Sequence, residues 1–301
     1  MMGLVKSVYY WMISKYEHFL VDCFPRKMID RIWMRNYGHK MNWDNPQDIN
    51  EKIQWLICYG DTSKWANLAD KYKVREYVKS KGLGELLPKL YGVWDNADKI
   101  DYEALPNKFV LKCNHDSGSC HFIDKSKGFN KEQINIELNN SLKKKYGYAD
   151  CEPHYNKIKP LIIAEQYLES TDEDFSFSLV DYKVWCFDGK PYSVWACYNR
   201  DHDGTDVNLY DLDWNVHPEC SVFTPYFRDG KNKVKRPEKL EEMLLSASKL
   251  SEGFPEVRVD FYIVEDKLYF GEMTFTCARG RMSFYTKEYL KELGDQVKLP
   301  L

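Results

Sequence analysis

The chain has 301 residues, 44% hydrophobic and 15% aromatic, enough for a large core spread over two or three packed lobes. Its net charge of −3 excludes whole-chain attraction to nucleic acid or to anionic lipid. Nine cysteines without a C-x-x-C pair exclude a secreted disulfide framework, and with no signal-peptide pattern and no long apolar run the expected setting is a reducing cytoplasm.

In "MMGLVKSVYYWMISKYEHFLVDCFPRK", Val5, Val8, Tyr9, Met12, Ile13 and Tyr16 fall at helical spacing, flanked by Lys6, Lys15, Arg26 and Lys27. The segment reads as a helix packed on the main body; the alternative is an interfacial helix in peripheral contact with a membrane. Residues up to about 60 read as helical, with "DINEKIQWLICYG" ending at Gly60. "SKWANLADKYKVREYVKSKG" continues the helical period through Leu68, Tyr72, Val74 and Val78 and stops at Gly82. "KLYGVW", "KFVLKC" and "CHFI" read as strands, a polar helix covers about 130 to 146, and "LIIAEQYL" is a buried strand running into a connection.

"DYKVWCF" and "PYSVWACY" form a hairpin turned by Asp188-Gly189-Lys190. "PEKLEEMLLSASKLSEG" starts at Pro237, repeats Leu240, Met243, Leu244, Ala247 and Leu250, and ends at Gly253 as an amphipathic helix. "RVDFYIVEDKLYFGEMTF" alternates apolar residues with period two, so it reads as a second hairpin, with Glu265-Asp266-Lys267 as a three-residue loop. That loop pairs Val264 with Leu268, Asp260 with Glu272 and Arg258 with Thr274. Helices alternating with antiparallel hairpins give an α+β chain rather than a parallel doubly wound sheet.

Two carboxylates opposed at roughly 5 Å between Cβ atoms repel. Asp260 and Glu272 therefore either lie on a solvated sheet face or share a hard divalent cation such as Mg²⁺, with Thr274 as a weak hydroxyl ligand and Arg258 holding an anion beside it. In "PNKFVLKCNHDSGSCHFIDKS" a strand ends at Lys112, and Ser117, Gly118 and Ser119 make a small-residue loop whose backbone N–H groups can turn to a phosphate. It is not a Walker loop, and an ordinary hairpin turn is the plainer reading. Cys113, His115, Cys120 and His121 match no common zinc spacing, and strand alternation sends Cys120 and His121 to opposite faces. Past Glu165 the strand's backbone is placed to meet an adenine edge, or the strand is simply buried. Asp181 and Lys183 share a strand face, as an exposed ion pair or as a lysine over a phosphate.

Taken in order, these pieces resemble the TupA-like ATP-grasp family of bacterial surface-polysaccharide gene clusters, over about residues 43 to 285. The phrases that carry the resemblance are "NPQDINEKIQWL", "LADKYKVREYVKSKG", "LPNKFVLKCNHDSGS", "IIAEQYL", "DYKVWCFDGKP", "YDLDW" and "RVDFYIVEDKLYFGEMTFT". The resemblance implies an ATP-grasp fold, two antiparallel-sheet lobes clamping ATP behind an N-terminal helical extension. Its parts would be 1–60 (helical), 61–105 (N-terminal lobe), 106–166 (small lobe with the phosphate loop) and 167–301 (large lobe with the metal site). It implies Lys71 and Lys112 on phosphate or adenine, the Ser117-Gly118-Ser119 loop over the phosphates, and Glu165, Gln166 and Leu168 around the adenine, with Lys183 as a further phosphate contact. Asp260, Glu272 and Thr274 would hold Mg²⁺, with Arg258 and Lys112 neutralising charge in the reaction. Two departures stand out: the E-x-N of many ATP-grasp enzymes is Glu272-Met273-Thr274, and the usual "NHGSG" is "NHDSGS", with Asp116 for a glycine.

The implied activity is an ATP-dependent carboxylate–amine ligase working through an acyl phosphate. The acceptor would be a hexuronic acid of a surface polysaccharide or its precursor, and the donor an amino acid or small amine. His115, Arg200, Arg279 and Arg281 are the candidates to face the anionic acceptor. The alternatives are a glycosyltransferase using the D-x-D of Asp211 to Asp213, and a kinase-like or non-catalytic ATP-binding member.

Overall fold

The computed structural model describes residues 2–169 and 175–300, with side chains from residue 9 onward, so Val5, Lys6 and Val8 lie outside the described side chains. Three helices open the chain: α1 (Met2–Cys23), α2 (Pro25–Tyr37) and α3 (Ile49–Tyr59). α3 starts where Asp48 accepts from Glu51 N at 2.9 Å while Glu51 accepts from Gln47 N at 2.6 Å, a reciprocal cap. No helix among the described residues is long and apolar enough to cross a membrane.

The helical stretch expected up to Gly82 is broken in two, α4 (Trp65–Ala69) and α5 (Val74–Ser80). The cause is Asp70, whose carboxylate accepts from Tyr72 N and Lys73 N and so competes with the helix ladder. Four strands form a small sheet in the order β1-β4-β2-β3: β1 (Leu90–Trp94), β2 (Lys108–Cys113), β3 (His121–Asp124) and β4 (Ile162–Gln166). α6 (Lys131–Leu142) covers it, and Phe109, Leu111, Ile162, Ala164 and Leu138 form its own core.

The large sheet has six strands. They are β5 (Asp181–Phe187), β6 (Lys190–Tyr198), β7 (Thr205–Tyr210), β8 (Phe227–Asp229), β9 (Val257–Val264) and β10 (Lys267–Thr274), in the order β10-β9-β5-β6-β7-β8. Every pairing in the two sheets is antiparallel except the parallel edge pair β7–β8. α7 (Leu240–Ser251) and α8 (Lys287–Gln296) pack with α2 to α5 and this sheet in one continuous core. The chain is thus α+β, with two antiparallel-rich sheets. β7 and β8 are short, and neither they nor α8 have a counterpart in the sequence reading.

Both hairpin turns are shorter than expected. Asp188 and Gly189 alone make the first, with φ of 47° and 77°, and Lys190 already pairs with Phe187. In the late hairpin Glu265 and Asp266 make the turn, with φ of 49° and 56°, so Val264 pairs with Lys267 and not with Leu268. Left uncorrected, this would slip the register by one residue and turn one of the two acids away. A bulge at Gly271 restores it: Asp260 pairs with Glu272 and Arg258 with Thr274. A Cβ at Gly271 would meet the Asp260 carbonyl oxygen at 3.0 Å and the Tyr262 ring at 3.1 Å, which explains the glycine.

Candidate active site

Strands β5, β9 and β10 lie side by side, and one rung across them reads Lys183, Asp260, Glu272. Asp260 is only 1% exposed, which rules out the solvated-face reading for this acid. Arg258, two residues away on the same face, answers the repulsion. Its Nε and Nη2 donate to Asp260 at 2.7 Å each, and Nη2 also lies 3.3 Å from Glu272 Oε1 and 3.2 Å from Thr274 Oγ1. Lys183 Nζ reaches Asp260 at 2.5 Å and Asp181 at 2.6 Å, and Arg200 meets Asp181 at 3.3 Å. The Asp181–Lys183 pair is buried, which removes the exposed-pair reading of the two. Burial alone would raise the Asp260 carboxyl, but Arg258 and Lys183 outweigh it and hold it below the usual carboxylate range. Glu272 is the exposed member of the row, its side chain 41% open to solvent.

The small sheet answers with its own cations. Lys112, at the end of β2, reaches Glu165 of β4 at 2.5 Å, and Arg75 of α5 holds the other oxygen of Glu165 at 2.9 Å. Burial works against the Lys112 charge, but Glu165, Cys120 and Glu272 together raise its pKa above the usual lysine value. Glu272 belongs to the large sheet, so its pull on Lys112 spans the two sheets. Glu165 therefore spends its carboxylate on two cations. Gln166 is tied to Lys89, its N donating to Lys89 O at 2.8 Å and its Oε1 accepting from Lys89 N at 3.3 Å. Leu168 follows in the half-buried connection beyond β4.

The loop between β2 and β3 is clasped from behind. Lys71, freed by the break between α4 and α5, donates to the Asp116 carbonyl at 2.6 Å. Asn114 bonds Asp70, Lys159 O and Leu161 N. Asp116, the residue that replaces a glycine, is turned inward: its carboxylate accepts from Ser119 Oγ at 2.5 Å, and that same Oγ accepts from Cys113 N. Ser117 and Gly118 are left exposed at the tip, Gly118 with φ of 91°. His115 is buried, and burial lowers its pKa.

Past β10 the chain makes a strained turn. Ala278 and Arg279 have φ of 45° and 63°, a conformation that costs non-glycine residues about 1 kcal/mol or more each. Buried polar residues of α3 hold it: Gln54 donates to Arg279 O at 2.7 Å, and Asn50 exchanges two hydrogen bonds with Met282. Gly280 packs so closely on Gln54 that a Cβ there would lie 2.4 Å from Nε2. Arg279 and Arg281 both converge on Asp150, and buried Glu152 accepts from Thr276 Oγ1 at 2.5 Å. Burial pushes the Glu152 carboxyl up to about 7. The sequence reading missed Arg75, Asp150, Glu152, Asn50 and Gln54. Only the last two left a signal, a polar pair four apart beside the apolar stripe of Ile49, Ile53 and Ile57.

Residues 51–298 match the model of the TupA-like ATP-grasp family. The chain belongs to this family. The two sheets are then the two lobes of an ATP-grasp fold. Compared with curated proteins, the sequence has no significant match. This TupA-like ATP-grasp protein is similar to a solved L-amino acid ligase from Bacillus licheniformis, with 12% identity and a TM-score of 0.46, over 84% of this chain and 55% of that one. It is also similar to D-alanine–D-alanine ligase from Bacillus anthracis complexed with ATP, with 13% identity and a TM-score of 0.44, over 77% of this chain and 65% of that one. A third likeness is the ATP-grasp ligase PsnB complexed with minimal precursor, with 10% identity and a TM-score of 0.43, over 81% and 68%. The chain thus spans little more than half of the first of these, and likenesses this distant say nothing of what it binds.

The D-x-D of the rival reading makes no such constellation in the TupA-like protein. Asp211 caps the turn after β7, accepting from Asn215 N at 2.7 Å and Asn215 Nδ2 at 2.9 Å. Nor do the cysteines and histidines of the zinc test gather: Cys113 is buried, Cys120 exposed, and His121 faces Glu137 at 3.7 Å.

Proposed function

We propose that this TupA-like ATP-grasp protein is an ATP-dependent carboxylate–amine ligase that uses Mg²⁺. The observation that carries the reading is the convergence of Asp260, Glu272 and Thr274 oxygens on one cationic nitrogen, Arg258 Nη2, within electrostatic reach of Lys112 from the facing sheet. Such a set of hard oxygens suits Mg²⁺, which takes one or two protein carboxylates and completes its shell with phosphate and water. Glu272 and Asp260 would hold the ion with Thr274, and bound there it would neutralise charge on the transferring phosphoryl group.

The chain's own groups divide the remaining work. Arg258, Lys112 and Lys183 set fixed positive charge along the phosphates. Lys71 steadies the loop, while Ser117 and Gly118 offer backbone N–H groups; Ser119 is occupied with Asp116 and supports the loop instead. The backbone from Gln166 to Leu168 would meet the adenine. Glu165 positions Lys112 rather than touching nucleotide. Arg279, Arg281 and Arg200 are the acceptor-facing cations; buried His115 leaves that set. Residues 106–166 and 167–301 would form the two clamping lobes.

In the reaction, a substrate carboxylate oxygen attacks the γ-phosphorus of ATP, the bond to the β–γ bridging oxygen breaks, and ADP leaves. An amine nitrogen then attacks the acyl carbon, phosphate leaves, the nitrogen loses a proton, and an amide remains. The acceptor class is a hexuronic acid of a surface polysaccharide or its precursor, and the donor an amino acid or small amine. The test is a phosphate-release screen with ATP, Mg²⁺, hexuronates and amines. Release that needs both a carboxylate and an amine supports the ligase; release with an alcohol acceptor alone, or thermal stabilisation by a sugar nucleotide and not by ATP–Mg²⁺, refutes it.

A further inference from the structure

The first helix is poorly matched to water. Tyr9, Tyr10, Trp11, Met12, Tyr16 and Phe19 are each between 50% and 67% exposed. Four consecutive positions, 9 to 12, at about 100° per residue go right round the helix, so these side chains are not one stripe facing a core. Only the last turns of α1 are seated: Leu20 and Val21 are buried, Tyr148 donates to Asp22 at 2.9 Å, and His18 stacks on Tyr148 at 3.9 Å. The expectation of a helix packed on the body therefore holds for its end alone. A helix apolar all round is stable where its surroundings are apolar too.

Charge says what those surroundings are. Residues 1–37 hold six Lys or Arg against three Asp or Glu, a net +3 within a chain of net −3. Lys15, Arg26, Lys27, Arg31 and Arg35 are all exposed, and four of them lie over aromatic rings: Lys15 on Trp11 at 5.8 Å, Arg26 on Trp43 at 5.2 Å, Lys27 on Phe24 at 4.8 Å and Arg31 on Tyr16 at 5.5 Å. Phe24, Met34 and Tyr37 extend the exposed apolar surface onto α2. Tyr and Trp ringed by basic residues match the boundary between acyl chains and anionic headgroups. A second copy of the chain would set one +3 surface against another. Among the described residues no helix is long and apolar enough to cross a membrane, so the helix is read as lying on the surface.

We propose that the N-terminal helix pair docks on an anionic lipid bilayer surface, with Tyr9 to Met12, Tyr16 and Phe19 entering the acyl boundary and the basic residues on the headgroups. The inference does not depend on the ligase reading. The test is sedimentation of the full chain with vesicles of phosphatidylcholine, with and without about a third phosphatidylglycerol. The expected result is binding to the anionic vesicles that weakens with salt and falls about tenfold or more on the neutral ones. The double variant Trp11→Ser, Tyr16→Ser should lose binding about tenfold or more, since roughly 1.4 kcal/mol of lost insertion is a factor of ten. Its melting midpoint should stay that of the unaltered chain, because both side chains are at least half exposed. The proposal falls if the chain stays in the supernatant, if chain and variant bind alike, or if both vesicle types bind equally. It falls also if light scattering shows a dimer that the variant dissolves, which would make a second copy the occupant.

Discussion

The large sheet and the loop between β2 and β3 hold their functional groups by opposite means. On the large sheet, charge is fixed side chain to side chain: Asp181, Lys183, Asp260 and Arg258 form one buried chain of ion pairs, and the exposed Arg200 closes its end on Asp181. On the small sheet, the loop is held through its backbone, by Lys71 on the Asp116 carbonyl and Asn114 on its neighbours, with its tip left exposed. The difference teaches what each side is for. Fixed charges must not reorganise as charge moves, so they are locked in a dry network. A loop that must fit a phosphate needs free N–H groups on an anchored base.

Asp260→Asn is the hardest blow to the locked side. It leaves Arg258 and Lys183 facing an amide, so unfolding in urea should show a loss of about 3–5 kcal/mol, and ATP-dependent phosphate release should vanish. Unchanged stability would mean that the network is not what fixes the sheet. Glu272→Gln sharpens the contrast between the two acids. Glu272 is half open to solvent, so stability should change by less than about 1 kcal/mol, while turnover falls on the order of 10²- to 10³-fold in the phosphate-release assay.

Glu152 tests the segment that lies between the two sides. Because burial raises its pKa from 4.5 to about 7, the folded chain keeps a proton that the unfolded chain has lost across that window. Stability from this group is therefore present below pH 4.5 and declines as pH rises towards 7. Glu152→Gln should melt close to the unaltered chain at pH 5 but gain on the order of 1–3 kcal/mol relative to it at pH 8. The smallest effect is expected on the clasped side. Lys71→Met should raise the KM for ATP by about tenfold, the worth of one charged hydrogen bond, with little change in melting temperature. A fall in kcat with an unchanged KM would instead place Lys71 on the reacting phosphate.

Much of the fold was legible because its signals are local. The period-two runs at 181–187, 257–264 and 267–274 and the apolar repeat at 240–251 are strands and a helix as read. The pairing of Asp260 with Glu272 came out of the sequence by a compensation: the turn is one residue shorter than read, and the bulge at Gly271 adds that residue back. The break at Asp70 was hidden, because a side chain that diverts two backbone N–H groups leaves the apolar period intact.

Taken by itself, the order of residues determined most of the elements, their type and which acids share a sheet face, because hydrophobic period and turn chemistry act within a few residues. What those acids touch was decided only in three dimensions. Arg258 stands between Asp260 and Glu272, Lys183 comes from a neighbouring strand 77 residues away, and the charge of Glu272 on the other sheet acts on Lys112. Electrostatic energy depends on distance and burial, and neither is written in the spacing of residues along a chain.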